Sequence, residues 1–468
     1  MHISKLYPKV KKDIIIRGIT DNSKLVRKNF IFVAIKGHKK NGLDYIDEAI
    51  ANGAILIIAN KKIRKKVLSI KIKDPKLEYS RLLKKFYTYS ALYTVGVTGT
   101  DGKTTTTKLL NSIFNCYSSS ASIGTNGIEY LNKNIKTINT TPSPDILFPA
   151  FHTFCKHEIQ NTVMEVSSEG ILDKRVDNVD FNGAIFTNLS HEHLNTHKNM
   201  NSYFLCKAKL FEKINHNGLI VANSDDKESY RIPFYTDAKI VYYGFKYGDY
   251  VIKNYDIHEN GSTFNILYKG YTLGEFKTSL FGKYNIYNCL AAIAYAYELG
   301  IPLKYIKKGI NKVNNISGRF IKYTKNAITG IIDFAHTPNA IKNLLESIKL
   351  FAKGRIILVM GAQGEKDKSK RSKMGVNGVT LSDITIFTSE DPKNESLFGI
   401  LNDLTKKLKN KEYYITLSRA EAIKLAARIA RPNDIIVITG KGNENEEIIL
   451  NYHFKHNDLD ILKKALDS

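Results

Sequence analysis

Apolar residues along this chain gather in runs of strand length, and between those runs apolar positions recur every three or four residues. The first group is IFVAIKG (31–37), the helical DYIDEAIANG (44–53) and AILIIAN (54–60). A second series opens with YTVGVT (93–98) and continues through NTVMEVSS (161–168), NGAIFTN (182–188) and NGLIVAN (217–223). A third comprises GIIDFAH (330–336), GRIILVMGAQG (354–364), DITIFTSEDP (383–392) and DIIVITGKG (434–442). Continuous apolar runs bounded by turn residues read as strands buried on both faces, and their alternation with helices predicts βαβ units and parallel sheets. The Ala-rich NCLAAIAYAYELG (288–300) predicts a buried helix closed by a glycine cap. The grouping predicts an α/β chain of three domains, 1–88, 89–316 and 317–468, with ligands outside the carboxyl ends of the strands.

A length of 468 residues exceeds one ordinary core and agrees with that division. No apolar run reaches the length of a membrane span, and the opening MHISKLYPKVKK has no apolar signal core, so membrane insertion and secretion are not expected. Cys116, Cys155, Cys206 and Cys289 lack disulfide or metal spacing, which leads to the expectation of a reducing cytoplasm. The net charge of +25 would suit nucleic acid, but the lysines are spread along the chain and no recognition module accompanies them. The charge is read as solvated faces that also assist capture of anionic small molecules, with no nucleic-acid partner expected.

The segment YTVGVTGTDGKTTTT (93–107) is a strand, a Gly-rich turn and a helix start. In that order Gly99, Thr100, Asp101, Gly102, Lys103, Thr104 and Thr105 form a phosphate cradle. Backbone N–H groups face the anion, Lys103 neutralises it, and the Thr104 hydroxyl can hold Mg²⁺. The strict pattern has a glycine where Val97 stands, so the loop is a compact variant for ATP or GTP. Glu165 lies in an apolar run, where it is either a paired strand-end acid or a Mg²⁺ ligand. His191, His193 and His197 follow a strand at a spacing that admits zinc but lacks a completing cysteine or acid, so loop histidines are the other reading. Lys207 and Lys209 fall on different faces of an amphipathic helix. Asn285 and Asn288 lie about one helical turn apart, Asp333 ends a buried strand, and Arg319 follows a glycine at a domain junction. Taken singly, each of these reads as structural.

In this order GTDGKTTT, MEVSSEG, NLSHEHLNTH, YFLCKAKLF, GKYNIYN, SGRF and DFAHTP resemble the Mur ligase family, ATP-dependent amide-forming enzymes of peptidoglycan synthesis. The resemblance runs from about residue 19 to 450. It implies an N-terminal UDP-substrate domain, a central P-loop parallel-sheet ATPase domain and a C-terminal Rossmann-like domain that binds the amino acid. The N-terminal segment 19–42, NTTP (139–142) and GKGNE (440–444) look like the MurE-type branch, which adds a diamino acid to UDP-MurNAc-L-Ala-D-Glu.

The resemblance implies ATP and Mg²⁺ as cofactors. Catalytic roles fall to Lys103, Glu165, His193 and Lys207, with Thr104, Glu165, His193 and a carbamylated Lys207 around the metal. Asn285, Asn288, Arg319 and Asp333 would embrace the nucleotide, Ser23 and His38 the UDP moiety, and Thr140, Thr141, Ser167 and Arg175 the muramoyl peptide. Glu390, Asp391, Lys393, Gly440 and Glu444 would meet the incoming amino acid, and a monomer is expected. The pattern is departed from at Lys393, where the diaminopimelate branch carries an arginine, and at Asn443, Glu169, Glu192 and Asn195. Lysine keeps the charge and loses the bidentate fork. Meso-diaminopimelate is the favoured amino acid, with lysine or ornithine as alternatives. Two other functions compete, a related ligase such as folylpolyglutamate synthetase and a basic NTPase associated with nucleic acid.

Overall fold

Buried β-branched runs with turn residues at either end can satisfy their backbones only by pairing with one another, and here they pair into three main sheets. The computed structural model describes every residue except 11–13, 38–39, 90–91, 259, 409–410 and 468. Near the N-terminus, Gly18–Thr20, Phe30–Val33, Ala54–Ala59 and Leu68–Lys71 form a four-stranded parallel sheet in sequence order. The helix Pro75–Phe86 covers it, started by the Asp74 side chain on the Leu77 N–H and by proline in the first turn. Its Tyr79, Leu82 and Leu83 join a core that continues into the next domain.

The central sheet has eleven strands. Its parallel heart runs Lys239–Gly244, Ile214–Asn223, Phe181–Phe186, Tyr93–Thr98, Asn161–Glu165 and Ser120–Gly124. Tyr93–Thr98 is the first of these in the chain, yet it lies between Asn161–Glu165 and Phe181–Phe186. Chain connections therefore leave it in opposite directions, which opens a crevice at its carboxyl end. On the other side of the sheet the helix Lys103–Tyr117 packs with Lys283–Glu298 and Leu303–Lys312. Leu109, Ile113, Leu290, Ile293 and Ile310 lie at the centre of that contact. Gly309 permits it, since a Cβ there would stand 2.4 Å from the Ile113 Cα.

In the C-terminal domain a six-stranded sheet runs Ile321–Lys325, Ile328–Asp333, Ile435–Thr439, Ile356–Met360, Ile384–Phe387 and Tyr414–Ile415. The first strand is antiparallel and the rest parallel, with an apolar cluster on each face. The expected strands are all present. The sequence reading did not anticipate the antiparallel edge Tyr250–His258, Gly261–Tyr268 and Tyr271–Thr278, nor the hairpin Gly127–Tyr130 with Lys133–Ile135. Half-exposed edge strands carry too few apolar residues to stand out as runs.

Candidate active site

Three adjacent carboxyl ends of the central sheet deliver the site. Tyr93–Thr98 leads into the loop 99–102, and the neighbouring strand ends in Thr187 and Asn188, which hold that loop by its main chain. Asn188 Oδ1 accepts from the Asp101 N–H at 3.0 Å, while Asn188 Nδ2 and Thr187 Oγ1 donate to the Asp101 carbonyl at 3.0 and 2.7 Å. Gly99 at φ 147° and Gly102 at φ 86° take backbone conformations that a Cβ would strain. At Gly102 a Cβ would also come within 2.4 Å of Asn288 Oδ1. Lys103 opens the helix, and its Nζ donates to the carbonyls of Gly99 and Thr100 at 3.0 and 2.7 Å.

Beside this loop Glu165 ends the strand Asn161–Glu165 at 1% exposure. Thr104 Oγ1 donates to its Oε2 at 2.9 Å and the Thr125 N–H to its Oε1 at 2.8 Å. Burial raises this carboxyl above the ordinary range, although Lys103 and those donors oppose the rise. Lys207, also 1% exposed, reaches from the helix Met200–Phe211 to donate to the Gly99 carbonyl at 2.8 Å, with its ammonium 4.6 Å from the Tyr203 ring centroid. Burial, and then the charge of Lys103, push its pKa well below that of a free lysine. Lys209 on the other face is exposed, so the two-faced reading of that helix holds. His193 packs edge-on to Tyr203. Burial outweighs the pull of Glu192 and, with Lys103 and Lys207, lowers its pKa to about 4.

His191 and His197 go elsewhere. The Nε2 of His191 lies 2.7 Å from Ser369 Oγ, and His197 stacks on Tyr203. Among the described residues no group of three or more His, Cys, Asp or Glu side chains is gathered as for zinc, and the zinc alternative has no support.

A cavity of about 560 Å³ lies against the loop and is lined by Asp101, Gly102, Thr104, Thr105, Asn285, Asn288, Arg319 and Asp333. Asn288 Nδ2 donates to Asn285 Oδ1 at 3.0 Å, so the two residues act as one polar wall. Asp333 accepts from the N–H groups of Phe320 and Ala335 at 2.9 and 2.8 Å, and the Arg319 guanidinium lies over the Phe334 ring. Burial raises the Asp333 carboxyl against the opposing field of Arg319. The sequence reading missed Tyr255, Tyr287 and Asn343 on the walls of this cavity. Tyr287 was within reach, since it stands between the two asparagines already singled out. Tyr255 comes from an edge strand that left no signal.

Thr140, Thr141, Ser167 and Arg175 are brought together next to Glu165. Thr141 Oγ1 donates to the Glu165 carbonyl at 2.9 Å and accepts from the Ser167 N–H at 2.9 Å, and Arg175 Nη1 donates to the Thr141 carbonyl at 2.9 Å. Thr140 Oγ1 lies 3.1 Å from Thr125 Oγ1. Ser23 is buried and donates to Glu48 Oε2 at 2.6 Å within the N-terminal domain, and His38 lies outside the described residues. In the C-terminal domain Lys441 Nζ donates to Asp391 Oδ1 at 2.7 Å and to Glu444 Oε2 at 2.9 Å. Glu390 is buried with Oε1 unpartnered, and a Cβ on Gly440 would run into its carboxylate at 2.1 Å. No acidic group among the described residues lies within ion-pair distance of Lys393.

Comparison with known proteins agrees with this layout. Family models match as Mur ligase family, catalytic domain, at residues 15–90, as Mur ligase middle domain at 97–296, and as Mur ligase, glutamate ligase domain, at 318–442. The UDP-N-acetylmuramoyl-L-alanyl-D-glutamate--2,6-diaminopimelate ligase of Aquifex aeolicus (strain VF5) is 35% identical over 455 residues, covering 96% of this chain and 94% of its own. The ligase of the same name from Fusobacterium nucleatum subsp. nucleatum is 35% identical over 472 residues, covering 98% and 96%. A solved structure of a UDP-N-acetylmuramoyl-L-alanyl-D-glutamate--2,6-diaminopimelate ligase superposes with a TM-score of 0.70 at 26% identity, over 100% of this chain and 99% of that one. With relatives this similar over its whole length, and with a P-loop, a buried acid and a buried lysine converging beneath a third α/β domain, the chain belongs to the Mur ligase family.

Proposed function

We propose that this chain is the ligase that joins meso-diaminopimelate to the D-Glu γ-carboxylate of UDP-MurNAc-L-Ala-D-Glu, with cleavage of ATP to ADP and phosphate. The observation that carries the reading is the meeting of Lys103, Glu165 and Lys207 at one point, between the nucleotide cavity and the Thr141–Ser167–Arg175 cluster. A carboxylate resists attack by an amine, so its oxygen first takes the γ-phosphoryl of ATP. The free amine then attacks the acyl carbon, and phosphate leaves with that oxygen. Lys103 neutralises the phosphates, and Arg319 and Asp333 hold the nucleotide from the C-terminal side. Closing the reactants between domains supplies proximity, which can lower a barrier by on the order of 7–11 kcal/mol.

The residues present fit Mg²⁺. Thr104 and Glu165 offer hard oxygen donors, and His193, whose pKa is lowered to about 4, offers a neutral ring nitrogen. An ammonium at Lys207 does not fit beside a cation, but burial favours its neutral amine, which can add CO₂ and lose a proton to become an anionic carbamate. These four residues would hold the ion, which would offset the charge of the transferring phosphoryl group.

Meso-diaminopimelate is supported by the names of the relatives and by the loop 390–393. Asp391 is already committed to Lys441, so Lys393 is left as the cation for a distal carboxylate. Lysine and ornithine carry a distal ammonium without that carboxylate and would bring only a like charge to Lys393. Labelling the γ-carboxylate of the substrate with ¹⁸O tests the acyl-phosphate route. Label should appear in the released phosphate, and unlabelled phosphate formed alongside the amide would rule that route out.

A further inference from the structure

The segment 191–194 of the central domain is held at both ends by the C-terminal domain, and the residue between the holds is His193. Glu192 is 6% exposed, and its Oε1 accepts from Lys370 Nζ at 3.0 Å, with His336 Nε2 at 3.2 Å. Lys370, also 6% exposed, donates in addition to the His336 carbonyl at 2.8 Å. On the far side of His193 the Leu194 N–H donates to Asp367 Oδ2 at 3.2 Å. His193 itself stands at φ 57°, ψ 20°, in the left-handed region. A residue with a Cβ persists there only where its surroundings fix it, at a cost on the order of 1 kcal/mol or more. The Thr196 and His197 N–H groups hold its carbonyl from within the central domain, and the contacts on the residues either side of it, Glu192 and Leu194, come from the other domain.

The charges involved make the arrangement close to all-or-none. A buried carboxylate or ammonium left without its partner is strongly unfavourable, so Glu192 and Lys370 tolerate burial only together, which means only with the two domains seated. We propose that Glu192, Lys370 and Asp367 form a closure latch that sets the backbone of His193, so that its imidazole is aligned with the phosphate site only when the C-terminal domain has closed. The proposal rests on the reading of the site given under Proposed function. None of the three residues lines the nucleotide cavity, and each is assigned a positioning role. Glu192 occupies one of the positions where this chain departs from the family pattern, and the latch gives that longer acid its role.

The test compares wild type, Lys370→Met and Lys370→Met/Glu192→Gln. Turnover and KM are measured for each, together with small-angle scattering in a non-hydrolysable ATP analogue plus UDP-MurNAc-L-Ala-D-Glu. Lys370→Met should lower kcat by at least about tenfold, with an unchanged KM for the UDP substrate, and should enlarge the radius of gyration of the liganded protein. The double variant, which leaves no lone buried charge, should return toward the wild-type radius and recover part of kcat. A Lys370→Met enzyme that closes and turns over like wild type, or a double variant more open than the single one, would overturn the latch. Failure of the wild type to make any UDP-linked product would overturn the proposed reaction instead. Scattering needs only ligand binding and would still decide the latch.

Discussion

At Lys207 the chain places an amine where water cannot reach it, and among the described residues no acid forms an ion pair with it; it touches a backbone carbonyl and a tyrosine face. If the carbamate supplies only a metal-binding anion, Lys207→Ala should lose ligation and regain a measurable part with millimolar short carboxylic acids. Unaltered activity without any additive would remove the residue from the site. Lys103→Ala should abolish ATP turnover, because it removes the ammonium that sits on the loop carbonyls of Gly99 and Thr100 where the phosphates would lie. Glu390 gives a pH signature. Burial, against the fields of Arg419 and other nearby cations, pushes its pKa up to about 7. Between the ordinary carboxylate pKa and that value the folded chain holds a proton the unfolded chain has released, so stability falls as pH rises through this window and is level above it. Glu390→Gln should therefore be more stable than wild type at pH 8, by at most about 3 kcal/mol, and lose that advantage near pH 5. Equal urea midpoints at both pH values would contradict the assignment.

Among the elements, the most informative contact is between Leu303–Lys312 and Lys103–Tyr117, because it sets the helix that begins at the phosphate loop. Gly309 brings the two backbones together, and the atoms a Cβ would strike are the Ile113 Cα and N rather than a movable side-chain tip. Gly309→Ala should cost about 2 kcal/mol of stability despite alanine's better helix propensity, seen as a lower urea midpoint. An unchanged midpoint would mean the helices part without cost. Elements of this kind were largely legible in the sequence. Strands buried on both faces, such as Ile356–Met360 and Ile435–Thr439, leave unbroken apolar runs. The edge strands 250–278 were not legible, because one face is solvated and Lys, Asn, Asp and Tyr dilute the alternation. The same dilution hid Tyr255. The phosphate loop, Glu165 and Lys207 could be found because glycine spacing and misplaced charges stand out. The Glu192–Lys370 pair could not, since its partners lie 178 residues apart and meet only through domain packing.

For the molecule as a whole, the central sheet carries the loop 99–102 and the C-terminal sheet brings Arg319 and Asp333 to the same cavity. We infer that the N-terminal domain takes the UDP end, with Ser23 in its fold and the four-stranded sheet behind it. Among the described residues no helix is long and apolar enough to cross a membrane. The most direct test of the central claim is the mass of the UDP-linked product formed from UDP-MurNAc-L-Ala-D-Glu, ATP and Mg²⁺ in an equimolar mixture of meso-diaminopimelate, lysine and ornithine. The account predicts one product, heavier than the substrate by a single diaminopimelate residue. A product carrying lysine or ornithine would contradict the reading of Lys393, and the absence of any product from folded, ATP-binding protein would contradict the ligase assignment itself.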